Sequence, residues 1–366
     1  MKRLFSILML LVAVGAWCEA EACTAALVLA KKSSEGAPTL WKHRDSPDWD
    51  CHYEYIQGKK HAYTALVSQD RKKTYCGINE MGFAILNTVS ENLKPDLTIT
   101  TKGIAITSMG NALAICATVD EFEELLRQTN GKRRYVTNYA CGDPSGALAF
   151  FEVWSEGYKR YDVEKQESGF DVRSNFSFAG DMVTPGPSVP RYDIVMRHMK
   201  GKKQYTPHDF IDYARNFENG AGVDVMKAPA PFVCNDLTVP RFFSVADMVA
   251  ICDKENPRML VVIGHPTSCM AVPVYVKAKN AIPQCAGGNG GRTALELSEE
   301  VRAKVYHQID ELKFEVNKPL VNALLKVKTT AKMPKDMPKD IEKFNAKLDA
   351  RFAKHAAKIR KVLAKF

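Results

Sequence analysis

The stretch AEACTAALVLA, residues 20–30, joins the end of a secretory leader to a cysteine and then to an apolar segment. The leader has its usual parts: Lys2 in a charged start, an apolar run over residues 4–17, and small residues before the cleavage site. Cleavage after Ala22 would make Cys23 the first residue of the exported chain. The sequence therefore predicts a signal peptide over residues 1–22 and a secreted or periplasmic protein.

A cysteine at the start of a chain carries two reactive groups, a thiol and a free α-amino group. The amino group has a reference pKa of roughly 7.7–8.0, which suits a general base near neutral pH. This pairing predicts the chemistry of an N-terminal-nucleophile hydrolase at Cys23. Two alternatives stay open here: a chance cysteine after a leader, or the lipidated cysteine of a lipoprotein. A lipoprotein would have a large aliphatic residue where Ala20 stands, and lipidation would block the amino group.

The charge of the chain is concentrated at its C-terminal end. Of 366 residues with a net charge of +9, residues 301–366 hold 17 Lys and Arg against 7 Asp and Glu. The remaining chain is close to neutral, so the basic pI of 8.9 describes the tail and not the body. We therefore expect no nucleic-acid partner for the body. Contact with an anionic surface would involve the tail alone.

The ten cysteines give no metal-binding spacing. Cys18 would leave with the leader, and with Cys23 as nucleophile eight remain, an even number in an oxidising compartment. Some of them can pair, and buried free thiols are the alternative for the rest. Because no CxxC spacing or His-rich cluster occurs, we expect no zinc site, no other metal and no cofactor.

A hairpin is predicted directly after Cys23. Residues 24–30 form a short apolar run typical of a buried strand. Residues 38–42 (PTLWK) predict the returning strand. The hairpin would bring the charged residues 43–45 (HRD) back beside the nucleophile.

A second informative stretch is GINEMGFAILNTVS, residues 77–90. Gly77 and Gly82 are expected to bracket a turn, and residues 83–86 to form a buried strand that ends at Asn87. A carboxamide in that place is suited to donating a hydrogen bond into a cleft. An asparagine that merely ends a strand is the alternative interpretation.

Three motifs in this order resemble a known superfamily. Cys23-Thr, WKHRD at 41–45 and NEMGFAILN at 79–87 are similar to the penicillin acyltransferase and choloylglycine hydrolase type of N-terminal-nucleophile linear-amide hydrolases. The closest resemblance is to the secreted bacterial penicillin-acyltransferase-like members. It implies an α+β fold, a four-layer αββα sandwich of two antiparallel sheets. We expect this hydrolase domain over residues 23–290 and a basic helical tail over 291–366.

The resemblance also implies roles for individual residues. Asp45 matches the family aspartate that holds the α-amino group of Cys23. The carboxamides of Asn87 and of Asn175, in the segment VRSNFS, match the donors that meet the developing oxyanion.

The same resemblance implies positive charge near the thiol of Cys23. Arg191, at the start of a predicted helix, and Arg44 would favour the thiolate of Cys23. Bile-salt-type members have an arginine where this chain has Lys42. Whether Lys42 or Arg44 fills that role is left open, and bile-salt specificity is doubtful for this reason.

Further elements follow from local signals. Capping patterns at Thr118 and Thr206 and the proline at 190 predict three helices. Apolar runs at 242–251, 259–263 and 271–276 predict consecutive antiparallel strands. We interpret His265, beside a proline, as a turn residue and not as a catalytic base.

The tail predicts two long helices. Residues 298–328 and 341–366 have helical patterns, with a stiff MPKDMPKD linker between them. Apolar residues of the last helix recur at three-to-four spacing with lysines opposite. Packing on the body is the favoured interpretation, while an oligomer contact and an anionic surface are alternatives.

The sequence as a whole predicts a hydrolase that cleaves a linear amide of a small molecule through a Cys23 thioester. An acyltransferase that uses the same thioester is an alternative. A secreted binding or envelope-structural protein is the alternative outside enzymes. Substrate side chains, disulfide pairing and a homo-oligomeric state are left open, because specificity lies in pocket loops.

Overall fold

The structure is a computed structural model in which two large antiparallel sheets are covered by helices. The predicted signal peptide, residues 1–22, lies outside the described residues. These are residues 23–96, 98, 108–183, 188–219, 222, 224–227, 229, 232–234, 238–309, 314–327 and 330–366.

The first sheet contains the strand that follows Cys23. Its six strands are β1 (Thr24–Val28), β2 (Thr39–Asp45), β10 (Phe170–Arg173), β12 (Ser244–Ile251), β13 (Arg258–Ile263) and β14 (Val272–Tyr275). They are hydrogen-bonded in the order β10-β1-β2-β12-β13-β14. β1 and β2 pair antiparallel with Thr24 opposite His43. The predicted hairpin is confirmed, and so are the three late strands.

The second sheet is a meander of seven consecutive strands. These are β3 (Cys51–Ile56), β4 (Tyr63–Ser68), β5 (Thr74–Asn79), β6 (Ala84–Val89), β7 (Thr137–Gly142), β8 (Leu148–Val153) and β9 (Tyr158–Asp162). Each strand pairs antiparallel with the next one in the chain. Five of the six connections are short, whereas the connection from β6 to β7 spans residues 90–136.

The two sheets face each other across one apolar core. Side chains alternate between the faces of a strand. In β2, Leu40 points to the second sheet, where its Cδ1 would lie 2.8 Å from a Cβ placed on Gly142. Trp41 points the other way, and its ring centroid lies 5.8 Å from that of Phe210.

Helices cover both outer faces and complete four layers. They are α1 (Met109–Ile115), α2 (Val119–Gln128), α3 (Val189–Met199), α4 (Pro207–Tyr213), α5 (Thr293–Val305), α6 (Lys318–Leu325) and α7 (Ile341–Leu363). α1 and α2 pack on the second sheet, where Phe122 meets Phe151 at 5.6 Å. α3 and α4 pack on the first sheet. The expected αββα sandwich of the α+β class is thereby confirmed.

Local capping explains where helices begin. Thr118 Oγ1 accepts a hydrogen bond from the Glu121 nitrogen at the start of α2. Thr206 and Asp209 form a reciprocal capping box at the start of α4. Each side chain satisfies backbone N–H groups that a helix leaves without a partner.

The stretch 77–90 differs from its prediction in two details. Gly77 lies inside β5, where a Cβ would come within 2.7 Å of the Ala65 side chain, so close packing and not a turn requires glycine. The turn comes later, at Gly82 with φ +83°. Asn87 lies within β6 and does not end it.

The predicted continuous helix over 298–328 is wrong. α5 ends at Val305, and two short strands follow, β15 (Tyr306–Gln308) and β16 (Phe314–Asn317). With β11 (Phe232–Cys234) they form a third sheet. Asn317 then caps α6, and a proline in its first turn fits only the start of a helix.

The last helix packs on the body of the protein. Leu348, Phe352 and Ile359 of α7 are buried in the same apolar core as the first sheet. The core therefore continues past residue 290, and the domain boundary there stays a prediction. Within the described residues, no helix has the length and apolar character needed to cross a bilayer.

The cysteines whose side chains are described are free and buried. They are Cys23, Cys51, Cys76, Cys116, Cys141, Cys252, Cys269 and Cys285. In this part of the chain, the buried-thiol alternative accounts for them better than pairing does.

A substitution in α7 tests its place in the core. Phe352 is 4% exposed, whereas Phe366 in the same tail is 51% exposed. We expect Phe352→Ala to lower the free energy of unfolding by about 3–5 kcal/mol, because it leaves a cavity. Phe366→Ala is the control and should change it by less than about 0.5 kcal/mol. Denaturant unfolding measures both, and equal small effects would contradict the packing of α7.

Candidate active site

Cys23 stands at the first position before β1, at one end of the first sheet. It is 6% exposed. The register that pairs Thr24 with His43 sets Cys23 across from Arg44. Alternation directs both side chains to the space between the two sheets.

A cavity of about 340 Å³ opens at this end of the sandwich. Four of the predicted site residues line it: Cys23, Arg44, Asp45 and Asn87. Lys42, Lys72 and Lys73 add positive charge to the wall, and tyrosines 75, 135 and 139 add aromatic surface. The cavity therefore joins a thiol to a polar, mainly cationic lining.

Asn175 binds the nitrogen of Cys23, and Arg191 binds Asn175. That nitrogen donates to Asn175 Oδ1 over 2.6 Å. Arg191 Nη2 donates to the same oxygen over 2.9 Å. Asn175 Nδ2 donates to the backbone oxygen of Val89, also over 2.9 Å. The carboxamide is thus fixed at both ends, with its oxygen toward Cys23.

The Arg191 side chain is buried behind Asn175. Burial and the neighbouring Arg241 lower the pKa of Arg191 to about 10, although Asp45 and Cys23 act in the opposite direction. The guanidinium therefore remains charged at neutral pH and places positive charge beside Cys23.

Asp45 lines the cavity, and three neighbouring side chains contact its carboxylate. Ser244 Oγ donates to Asp45 Oδ1 over 2.6 Å, and Arg241 Nε to Oδ2 over 3.3 Å. His43 Nε2 lies 3.1 Å from Oδ1. Burial alone would raise the pKa of Asp45, but His43 and Arg241 lower it well below its usual range. Asp45 is therefore an anion at neutral pH.

Asn87 faces the cavity with a lysine beside it. Lys42 Nζ donates to Asn87 Oδ1 over 2.8 Å and to the Asn87 backbone oxygen over 2.7 Å. Asn87 Nδ2 donates to Thr137 Oγ1 over 3.2 Å. Lys42 thus orients the Asn87 carboxamide.

Arg44 contacts a different part of the wall. Its guanidinium lies 3.8 Å from the ring centroid of Tyr75, and Nη1 donates to the Asp48 backbone oxygen over 2.9 Å. Lys42 contacts Asn87, whereas Arg44 lies on the aromatic wall.

Sequence reasoning missed a buried cluster behind the sheet. His43 Nδ1 lies 2.9 Å from Asp247 Oδ1, and Asp247 pairs with His43 in the register of β2 and β12. Ser244 and Arg241 complete the cluster around Asp45. One signal was available: a charged Asp247 inside the apolar run SVADMVAI.

The turn histidine belongs to a neighbouring buried group. His265 is fully buried and contacts Thr267 Oγ1 at 2.6 Å and Tyr306 at 2.8 Å. Burial lowers the pKa of His265 well below its usual range, and the nearby Arg302 and His43 act in the same direction. His265 is therefore neutral. In the part of the chain that the structure covers, no His, Cys, Asp and Glu residues are grouped to hold a metal ion.

Comparison with known proteins gives distant similarity in structure. No protein-family model matches the chain. No curated protein sequence matches it either. The fold is similar to penicillin V acylase from Agrobacterium tumefaciens, with a TM-score of 0.42 and 13% identity over 70% of this chain and 86% of that one.

Two further solved structures are similar to the same degree. A variant of the conjugated bile acid hydrolase from Clostridium perfringens has a TM-score of 0.43 and 11% identity over 70% of this chain and 93% of that one. The Caenorhabditis elegans ortholog of N-acylethanolamine-hydrolyzing acid amidase has a TM-score of 0.42 and 10% identity over 63% and 93%. The similarity is distant and concerns the fold.

Removing the Asn175 carboxamide tests its position. Asn175→Ala would leave the Cys23 nitrogen and a buried guanidinium without their acceptor. We expect the free energy of unfolding to fall by about 1–3 kcal/mol, the cost of an unsatisfied buried donor. Asn322→Ala, at an exposed position of α6, is the matched control and should be nearly neutral. Denaturant unfolding of both variants decides, and a neutral Asn175→Ala would contradict the contact.

Proposed function

We propose that this protein is an N-terminal-nucleophile amidohydrolase that cleaves a linear C–N amide bond through a thioester at Cys23. The observation that carries the proposal is the 2.6 Å hydrogen bond between the nitrogen of Cys23, a residue that lines the cavity, and Asn175. A peptide nitrogen held in this way is already in place to act as an amino group. Cleavage after Ala22 during export would convert it.

The first step needs a base beside the thiol. In the mature chain, Asn175 Oδ1 would accept one N–H of the amino group and turn the nitrogen lone pair toward the thiol. The amino group would take the thiol proton, and the thiolate would attack the amide carbon. Arg191, bonded to the same oxygen, would stabilise the negative charge of the thiolate.

The developing oxyanion requires donors on the cavity side. Asn87 is the donor that its position favours, because its Nδ2 carries two hydrogens and the bond to Thr137 uses one. Asn175 is the second proposed donor, although its oxygen and Nδ2 already hold Cys23 and Val89. One donor of this kind is typically worth about 2.7–4 kcal/mol in the transition state.

The second half returns the enzyme to its starting state. The amino group passes its proton to the leaving amine as the C–N bond breaks. Water then attacks the thioester, gives up a proton to the amino group, and the thiol is restored as the acid departs. An amine in place of water would give acyl transfer, and a product assay distinguishes the two.

Blocking the amino group tests the mechanism. One glycine added before Cys23 keeps the thiol and converts the amine into an amide that cannot accept a proton. We expect the rate on a panel of linear amides to fall by roughly 10²–10⁴, the usual cost of losing a general base. Released amine is measured, and intact mass must show that the glycine remains.

Controls separate this mechanism from others. Cys23→Ala should abolish activity, whereas Cys116→Ala, a buried thiol in the outer core of the second sheet, should retain it. Full activity with the glycine in place would contradict the proposal. A mature chain that starts elsewhere, or a lipidated Cys23, would instead support the non-enzymatic alternative.

We also propose that the tail contacts anionic surfaces, as its charge suggested. Another cavity, of about 560 Å³, is lined by Lys326, Arg351, Lys354 and Lys358 together with Met270, Val327 and His355. In the described structure these three lysines have no carboxylate partner within 4.0 Å. Their charge would be available to phosphate groups.

Two matched triple variants test this contact. Replacing lysines 326, 354 and 358 by glutamine should weaken binding to phosphatidylglycerol vesicles by roughly 100-fold, since each lysine near such a surface contributes about 1 kcal/mol. The same change at lysines 343, 347 and 361 removes equal charge outside the cavity and serves as the control. Cosedimentation measures binding. Equal losses would show diffuse attraction, and no binding by the parent protein would reject the contact.

A further inference from the structure

We propose that His43 is a positioning residue that holds Asp45 from behind the sheet and, as a buried cation, keeps the Cys23 amino group in its neutral, basic form. The inference rests on the proposed function, in which that amino group is the base. His43 touches no substrate, because it lies on the helix side of β2 while the cavity lies on the other side.

The position of His43 follows from strand alternation. Lys42 and Arg44 point between the sheets, so His43 points toward the helical layer together with Trp41, whose ring centroid lies 6.3 Å away. The side chain is fully buried. Its ring nitrogens can therefore be satisfied only by the protein around them.

Hydrogen bonding requires a proton on both ring nitrogens. Nδ1 faces Asp247 Oδ1 at 2.9 Å, and an ionised carboxylate only accepts. Nε2 lies 3.0 Å from Ser244 Oγ, whose single hydrogen goes to Asp45 over 2.6 Å. Ser244 must then accept from Nε2, so the ring is an imidazolium.

The electrostatics agree with this geometry. Burial lowers the pKa of His43, but Asp247 and Asp45 together raise it to about 10. By contrast, His265 is equally buried and is neutral, because no carboxylate contacts it in the described structure. Two buried histidines in one protein thus carry different charges.

The charge on His43 would act on the Cys23 amino group through Asp45, which lines the same cavity as Cys23. The charged or titratable groups that face this region are the carboxylates Asp45, Asp247 and Glu91, the cations Lys42, Arg44, Arg191, Arg241 and Arg302, and the neutral His265. Protonation of His43 adds one further positive charge to this group. Another cation at Cys23 is then disfavoured, and the amino group loses its proton at a lower pH.

Removing the charge should therefore shift the pH dependence. In His43→Gln, Asp45 and Asp247 lose a shared counter-ion and would stabilise the ammonium form of Cys23. We expect the acid limb of kcat/KM to move up by about one pH unit, because a nearby charge typically shifts a pKa by that order. Activity well below the limb would fall about tenfold, while the plateau at high pH would change less.

His265→Gln is the matched control. It removes an equally buried imidazole from contacts with Thr267 and Tyr306, without removing a charge. This substitution should lower the free energy of unfolding and leave the pH of the acid limb of kcat/KM unchanged. A shift of equal size in both variants would show a general structural effect and overturn the inference.

A measurement on the unmodified protein avoids the risk that a variant does not fold. Nitrogen-15 NMR of the histidine rings should show His43 protonated at both nitrogens from about pH 5 to 9. The ring signals of His208, an exposed residue, provide an internal reference in the same spectra. A neutral His43 ring at pH 7 would overturn the inference.

The outcomes also separate this inference from the proposed function. If the parent protein cleaves no amide, or its mature chain does not start at Cys23, the proposed function fails while the NMR result stands. If His43 is charged and the acid limb stays within about 0.3 pH units in His43→Gln, the inference fails and the hydrolase proposal is unaffected.

Discussion

The antiparallel pairing of β1 with β2 is the constraint on which the site depends. Thr24 lies opposite His43, so the residue before β1 and the last residues of β2 meet at one end of the sheet. Alternation along β2 then divides its side chains, with Lys42 and Arg44 toward the cavity and His43 toward the helices. A shift of one residue in the register would exchange these sets and move the cations away from the thiol.

Because of this division, several charged side chains are buried close together at one end of the first sheet. Lys42, His43, Asp45 and Arg191 are each at most 2% exposed. An ion buried alone would cost several kcal/mol, so each of them needs a fixed partner. The partners are supplied by strands β6 and β12 and by the loops that carry Asn175 and Arg241. Removing one member leaves another unpaired, which makes the site and the local fold depend on each other.

The basic tail also helps to hold the residues of the site in place. Arg302 of α5 donates to the backbone oxygen of Phe242 over 2.9 Å and also to that of Ser244. Ser244 in turn donates to Asp45. A helix that charge composition assigns to the tail thus fixes the strand end that holds a cavity residue. Charge composition mainly reflects the surface residues of a protein, whereas packing depends on its core residues. A boundary in charge therefore need not coincide with a boundary in packing.

Local interactions explain what the sequence determined by itself. The hairpin after Cys23 and the capped starts of α2 and α4 depend on neighbours close in the chain, so their signals are readable in order. The prediction of one helix over 298–328 was wrong because it used local signals only. Helical spacing does not show that residues 306–308 and 314–317 pair with each other.

Only the tertiary structure decided which distant residues meet. Asn175 contacts Cys23 from 152 positions away, and Asp247 contacts His43 from 204 positions away. The resemblance pointed to Asn175 for a different role, and nothing pointed to the pairing of His43 with Asp247. The charge state of a buried histidine depends on the groups that surround it in space, and the two buried histidines differ for that reason. The family resemblance of three motifs predicted the layers, and the contacts between layers determined the chemistry of the site.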